Sequence, residues 1–114
     1  MRGRVLVWLC CVGGVPAFAC DYPTGKPEVP EGKTATNEQM MTSQKDVQEY
    51  VAKMEAYVAC LDQTVDALGD TITDAQRNFH AQKHNAAVDE MQALADQYNA
   101  EVRAYKQAQD DKKY

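Results

Sequence analysis

Two heptad patterns of apolar residues, separated by a short polar loop, constrain this 114-residue chain more than any other feature. The first pattern covers about 37–68 and the second about 74–108, and the steps between apolar residues alternate between four and three. Such a pattern is typical of a helix that packs along its length against another helix. Because the loop has only about five residues, the second helix must return antiparallel to the first.

The two patterns also agree with each other. The first seam comprises Met40, Gln44, Val47, Val51, Met54, Val58, Leu61, Val65 and Leu68. The second seam comprises His84, Val88, Met91, Ala95, Tyr98, Val102 and Tyr105. If the chain folds about residue 71, residues whose numbers sum to 142 lie at one level, which pairs Val47 with Ala95 and Met54 with Val88. The sequence therefore predicts an all-α fold, an antiparallel, coiled-coil-like hairpin of two helices.

The ends of both helices carry local signals. Thr36 with Gln39 forms a predicted capping box at the start of the first helix, and Thr73 with Gln76 forms a second one. Gly69 is placed where a glycine commonly ends a helix. The hairpin is thus expected over 37–108 and is followed by a polar tail over 109–114.

The residues 1–19 have the parts of a secretory signal peptide. Arg2 and Arg4 precede a short apolar run over 5–15, and Ala17-Phe18-Ala19 forms an A-x-A cleavage site. A membrane-spanning helix needs about 20 apolar residues, so we expect cleavage rather than retention as an anchor. No later segment is apolar enough to span a membrane, and we expect export, to the bacterial periplasm.

Cleavage would leave Cys20 at or near the start of the chain. The alternative to soluble export is a lipid anchor through Cys20, although Phe18 and the missing leucine fit the usual lipidation pattern poorly. Two cysteines remain, Cys20 and Cys60, and an even pair in an exported protein indicates one disulfide. Two thiols, or a bridge between chains through Cys60 when Cys20 carries a lipid, are the alternatives.

Residues 20–36 are expected to form an extended arm. Their prolines, Pro23, Pro27 and Pro30, exclude helix and favour polyproline II, which spans about 50 Å from Cys20 to Thr36. The helix from Thr36 to Cys60 spans only about 36 Å. An arm that turns at Gly32 can therefore run back along the first helix and bring the two cysteines together.

The predicted core is thin near the loop. We call the pairing of residues whose numbers sum to 142 the level rule. At the loop end it places Arg77 opposite Val65, so the second helix adds little apolar surface there. Cys60 is close to this region in the chain. We therefore expect the arm residues 22–23 to pack there as additional cover.

Charge excludes several classes of partner. Removing residues 1–19 takes away Arg2 and Arg4 and no acid, which changes the net charge from −5 to −7. Nucleic acids and anionic membranes require clustered lysine and arginine, so neither is expected as a partner. The chain also has no phosphate-binding glycine loop, and Ser43, its one serine, has no histidine near it in the hairpin. We therefore expect neither an enzyme nor a cofactor.

Two sets of side chains are candidates for a site. His80 and His84 are four residues apart and can share a helix face, which suits a zinc or copper site, although a packed histidine on the seam is the simpler interpretation. The tyrosines at heptad spacing are candidates for contact with a second hairpin or for core packing. They are Tyr50, Tyr57, Tyr98 and Tyr105.

Several runs of the sequence resemble a set of small exported α-helical proteins of proteobacteria. The runs are CDYPTGKPEVPEGKTATNEQM, QKDVQEYVAKMEAYVACLD and AAVDEMQALADQYNAEVRAYK. They share a Cys-x-x-Pro start, a VP-x-G turn, a T-A-T segment before the first helix and a Cys-Leu within it. The resemblance implies bacterial export and a helical hairpin, and it implies no activity and no site residue.

The sequence thus predicts a non-enzymatic exported protein that acts through protein–protein contacts, with a homodimer forming a four-helix bundle as one form. One alternative is a periplasmic chaperone or stress protein, which would use an open apolar flank and adaptable methionines. A further alternative is a metal binder that uses His80 and His84.

Overall fold

The computed structural model describes residues 20–113. Helix α1 spans Asn37–Leu68, a short 3₁₀ turn follows over Gly69–Thr71, and helix α2 spans Asp74–Asp111. The described residues contain no strand, and the two helices pack against each other. The predicted all-α hairpin is confirmed. The signal peptide expected over 1–19 lies outside the described residues.

The helix ends have the predicted structure. The Thr36 hydroxyl accepts the Gln39 backbone N–H at 3.1 Å, and the Gln39 side chain accepts the Thr36 N–H at 2.8 Å. The same reciprocal pair joins Thr73 and Gln76, at 3.1 and 2.9 Å. Gly69 ends α1 with a φ of 51°, a conformation that favours glycine. Helix α2 continues to Asp111, so part of the expected polar tail is helical.

The vertical alignment of the helices follows the level rule. A hydrogen bond of 3.0 Å joins the Asp62 carboxylate on α1 to Nε2 of His80 on α2. The numbers of these two residues sum to 142. The helices therefore pack antiparallel at the predicted level.

The buried face of α1 matches half of the predicted seam. Its buried residues are Met40, Ser43, Val47, Tyr50, Met54, Tyr57 and Leu61. The positions that repeat every seven residues from Met40 to Leu61 are confirmed. At the other seam positions the prediction holds only in part, since Gln44 is exposed whereas Val51 and Val58 are half-buried and pack against the core. In each case the residue immediately before them is buried instead.

Helix α2 shows the same difference. Ala87 and Leu94 are inaccessible to solvent, whereas Val88, which the seam predicted, is 38% exposed. Ala95 is half-buried. Met91, which also belongs to the predicted seam, packs against the core. One half of the second seam is therefore displaced by one residue.

The N-terminal arm explains the displacement. A disulfide joins Cys20 to Cys60, with the Cα atoms 5.7 Å apart, and the Cys20 sulfur lies 3.7 Å from the Thr64 hydroxyl. The Tyr22 ring meets the Tyr57 ring edge to face at 5.2 Å. The arm thus covers the α1 positions that a two-helix hairpin would leave exposed. The core lies between three segments, and its burial follows the side on which the third one packs.

The arm also contacts α2. Lys26 forms an ion pair with Glu90, with 2.8 Å between Nζ and the carboxylate oxygen. The Gly32 N–H donates to the Glu101 carboxylate at 2.6 Å. The arm is therefore held to α1 at one end and to α2 at the other.

The arm turns at Gly32, as predicted, and the structure shows an additional reason for glycine there. The turn there is closed by the Ala35 N–H, which donates to the Glu31 carbonyl at 2.9 Å, and Gly32 has no positive φ. A Cβ atom at this position would lie 1.8 Å from the Glu101 carbonyl oxygen. Glycine is required because the arm touches the backbone of α2.

The expected cover by Tyr22 and Pro23 is present level with Cys60, but it does not extend to Val65. Pro23 lies beside Tyr57 and Cys60, and Tyr22 beside Tyr57, farther from the loop than Val65. The reason is the direction of the chain, since the arm must run from Cys20 away from the loop to reach the start of α1.

In the described part of the chain, neither helix is both long and apolar enough to cross a membrane.

Candidate functional site

The two predicted histidines lie on one face of α2. His80 is half-buried and bound to Asp62, while the ring centroids of His80 and His84 are 5.9 Å apart. Over residues 20–113 no group of three or more histidine, cysteine, aspartate or glutamate side chains could hold a metal ion. The contact with Asp62 was not predicted, although the level rule places the two residues together. It makes His80 part of a surface ion pair between the helices when the ring is protonated.

The four predicted tyrosines separate into two groups. Tyr50 and Tyr57 are 4% and 7% exposed, and they lie beneath the arm, where Tyr22 contacts Tyr57. This burial leaves them little surface for a second chain. Tyr98 and Tyr105 are half-buried on α2, and an interface role for them stays a prediction.

Two exposed side chains of the arm, Tyr22 and Lys26, have raised pKa values. Burial raises the pKa of Tyr22 above 10.0, and the nearby Tyr50 hydroxyl and Glu90 carboxylate raise it further. The hydrogen bond to Glu90 raises the pKa of Lys26 above 10.5. The raised pKa of Lys26 extends its ion pair with Glu90 to more alkaline pH.

The disulfide bears on the lipid alternative. The sulfur of Cys20 is bonded to the sulfur of Cys60. A lipid anchor would require that same sulfur as a thioether. The two states of Cys20 are mutually exclusive, and the structure has the disulfide.

An apolar groove lies between the helices next to the loop, and we call it the tip groove. Its volume is about 200 Å³. Its apolar walls are Leu61, Val65, Leu68, Ile72 and Phe79. Phe79 is 58% exposed, and the Lys83 ammonium lies 4.2 Å above the centre of its ring. A cavity of this size accepts one or two apolar side chains.

The tip groove is open because nothing in residues 20–113 covers it. The arm begins at Cys20, which is bonded to Cys60, and leads away from the loop. On the α2 side the groove is bordered by Gln76, His80 and Lys83 rather than by apolar residues. This is the thin part of the predicted core, and the sequence pattern indicated it without indicating a cavity.

A second groove separates the arm from the start of α1, and we call it the arm groove. Its volume is about 430 Å³. The residues that shape it include Glu28, Val29, Pro30, Thr42, Ser43 and Asp46. The sequence analysis did not identify it, because it exists only once the arm has folded back.

Comparisons with protein-family models, with curated proteins and with solved structures found no match to this chain. The case for a function therefore depends on the two grooves and on the charge around them. Both grooves are open to the surface and suit binding.

Proposed function

We propose that this chain is a non-enzymatic exported protein of the bacterial periplasm that binds a protein partner through the tip groove. The observation that carries the proposal is an apolar cavity at the end of the hairpin, with Phe79 exposed at its edge. Exposed apolar surface of this kind often marks a site of protein interaction. Aromatic residues are also enriched in such contacts.

Export is supported by chemistry as well as by the pattern of residues 1–19. A disulfide between Cys20 and Cys60 persists in oxidising compartments and is rare in the cytosol. The resemblance to exported proteobacterial proteins favours the same compartment. The proposal that the compartment is the periplasm depends on these two arguments.

The aspartates of the loop region indicate the chemistry of the partner, because they lie beside the tip groove, which Lys83 lines on the α2 side. Acidic residues repeat every four positions around the loop and are exposed, namely Asp62, Asp66, Asp70 and Asp74. Complementary charge steers association and discriminates between partners. We therefore expect a partner segment with an apolar side chain for the groove and with lysine or arginine that faces the aspartates rather than Lys83.

The same charge argues against a second copy at this site. Two copies that met at their tips would bring both acidic clusters together, and like charges across an interface are costly. A homodimer through this groove is therefore less favourable than a complex with a basic partner. Sedimentation of the purified protein at high concentration separates the two, because tip-to-tip association would produce dimers.

Site-specific photo-crosslinking in the periplasm tests the proposal. A photoreactive phenylalanine analogue replaces Phe79 in one variant and the exposed Gln92 in a matched control. We expect a partner cross-linked at position 79 and not at 92, with the attached peptide mapped to an apolar residue flanked by basic residues. A synthetic copy of that peptide should bind the protein, and binding should weaken in Leu68→Asp and at high salt.

Other results would contradict the proposal. A cross-linked peptide that is acidic, or equal cross-linking at both positions, would show that the tip groove does not select the partner. Binding of the peptide that is unchanged in Leu68→Asp would place the contact elsewhere.

A chaperone is the second candidate, because an exposed apolar groove also suits unfolded polypeptides. It would bind many sequences and prevent their aggregation. Light scattering of a denatured client, with and without the protein, distinguishes the two functions. Suppression by the wild type that is lost in Leu68→Asp would favour the chaperone over a dedicated partner.

A further inference from the structure

The arm groove is acidic on both of its sides. Glu28 projects from the arm, whereas Glu38 and Asp46 project from α1, and all three side chains are exposed. Over residues 20–113 none of the three forms an ion pair. The groove therefore concentrates negative charge that the folded chain itself does not neutralise.

A buried hydroxyl in the same groove lacks a partner. Ser43 lines the groove and is 4% exposed, and within the described part of the chain its Oγ atom has no hydrogen bond. A buried polar atom without a partner costs about 1–3 kcal/mol in general. Apolar residues occupy most of the other buried positions of α1, so a serine here is unfavourable for packing alone. A ligand that donates a hydrogen bond would supply the missing partner.

The spacing of the carboxylates indicates the size of the ligand. Glu38 and Asp46 are eight residues apart on α1, which corresponds to about 12 Å along the axis. A single divalent cation binds oxygen atoms at about 2.3–2.6 Å and could not bridge this distance. The site suits an elongated ligand whose positive charges are distributed along its length.

The walls of the groove suit an alkyl chain. Val29 and Pro30 are half-buried and form apolar surface between the acidic residues. A neighbouring groove shares Asp46 and extends along α1 to Glu49 and Tyr50. Lys53 also lines this neighbouring groove, so the uncompensated negative charge is concentrated in the arm groove itself.

The start of α1 does not favour an anion instead. The capping box uses the Thr36 hydroxyl and the Gln39 side chain to occupy backbone N–H groups of the first turn. Glu38 in that turn offsets the positive end of the helix. The local charge that remains is negative.

We infer that the arm groove binds an alkylammonium group, in which the N–H donors reach Ser43 and the carboxylates while the methylene chain packs on Val29 and Pro30. Such a group occurs in linear polyamines and in lysine side chains of a peptide. This site is distinct from the tip groove, and it stands or fails independently of the proposed function.

Titration with spermidine and with a short lysine-containing peptide tests the inference and distinguishes the two sources. Calorimetry gives the affinity, and backbone NMR shifts give the location. We expect at least one probe to bind, with shifts confined to the arm and to the start of α1, and with affinity that falls as salt rises. N-acetylated spermidine and the peptide with acetylated lysines should bind more weakly, because acetylation removes the charge.

Three variants make the location decisive. Asp46→Asn should weaken binding about tenfold, because it removes a charged hydrogen-bond acceptor. Glu55→Gln removes an equal charge from α1 outside the groove and should change the affinity less than twofold. Ser43→Ala should weaken binding about tenfold while leaving the melting temperature of the ligand-free protein unchanged or higher, since it removes an unsatisfied hydroxyl.

Several results would overturn the inference. One is the absence of binding by both probes. Another is an equal loss in Asp46→Asn and Glu55→Gln, which would show diffuse attraction to an acidic protein. Wild-type affinity in Ser43→Ala would show that the hydroxyl does not contact the ligand.

Discussion

Gly32 is the residue at which the arm approaches α2 most closely. We predict that Gly32→Ala lowers the free energy of unfolding by at least about 2 kcal/mol, because its Cβ would lie 1.8 Å from the Glu101 carbonyl oxygen. The turn must then move away, and the hydrogen bond from Gly32 to Glu101 is lost. Urea denaturation of the variant measures the effect.

The matched control for this substitution is Gly25→Ala. Gly25 has a φ of 78° and nothing within 4 Å of an added Cβ, so alanine there meets conformational strain of about 1 kcal/mol and no clash. If Gly32→Ala proves as mild as Gly25→Ala, the close contact with α2 does not contribute to stability.

A second prediction at this scale concerns Tyr22 and Lys26 at alkaline pH. Both pKa values are raised in the folded chain, from 10.0 and 10.5, so the stability they add is present below these values and is lost as pH rises through the folded pKa values. Melting temperatures from neutral pH to above 10.5 should fall more for the wild type than for Tyr22→Phe/Lys26→Gln. The effect should be small, because the ion pair of Lys26 is exposed to solvent. An equal fall in both proteins would contradict the assignment.

At the scale of the helices, the buried face of α2 can be tested with single substitutions. We predict that Leu94→Ala lowers the free energy of unfolding by about 3 kcal/mol, because Leu94 is inaccessible to solvent. Val88→Ala should cost less than about 1 kcal/mol, because Val88 is 38% exposed. Thermal or urea denaturation measures both variants. A larger loss of stability in Val88→Ala than in Leu94→Ala would support the seam predicted from the heptads instead.

The helices also show how far sequence reasoning reaches. Capping boxes and heptad steps are local signals, so helix starts, the return of the chain and the level of Asp62 with His80 could be predicted. The arm determines which flank of each seam is buried. The heptad patterns of the two helices do not indicate on which side of the hairpin the arm packs. Tyr50 was a usable signal, because a large side chain one step from the seam indicates additional cover there.

The grooves were less predictable than the helices. The tip groove follows from a poor match between the two helices near Val65, and the sequence indicated that weakness. The arm groove arises from a tertiary contact between the arm and α1, and no periodicity in the chain encodes it. Ser43 was noted as a lone serine without a base, whereas its burial without a partner is visible only in the structure.

For the whole molecule, the arm makes the hairpin a three-segment fold with an open end. Its attachment at Cys60 covers the middle of the hairpin, and its turn at Gly32 covers the far end. The end next to the loop is left apolar and accessible. The arm therefore completes the core and also determines where binding surface remains.

The last prediction concerns the two attachments of the arm, and it uses Cys20→Ser/Cys60→Ser to remove both thiols. The disulfide links residues 40 apart in the chain, and its loss should lower the free energy of unfolding by about 3–4 kcal/mol. NMR should show Tyr22 released from Tyr57, while the Gly32 amide stays protected, because its bond to Glu101 does not involve the disulfide. The control variant Ala59→Ser changes an exposed position of the same helix, and it should leave the stability and the contact of Tyr22 with Tyr57 unchanged. Unchanged stability in the double variant would mean that the disulfide does not hold the arm. Rapid exchange of the Gly32 amide would mean that the arm detaches as one cooperative unit, so that its two attachments are not independent.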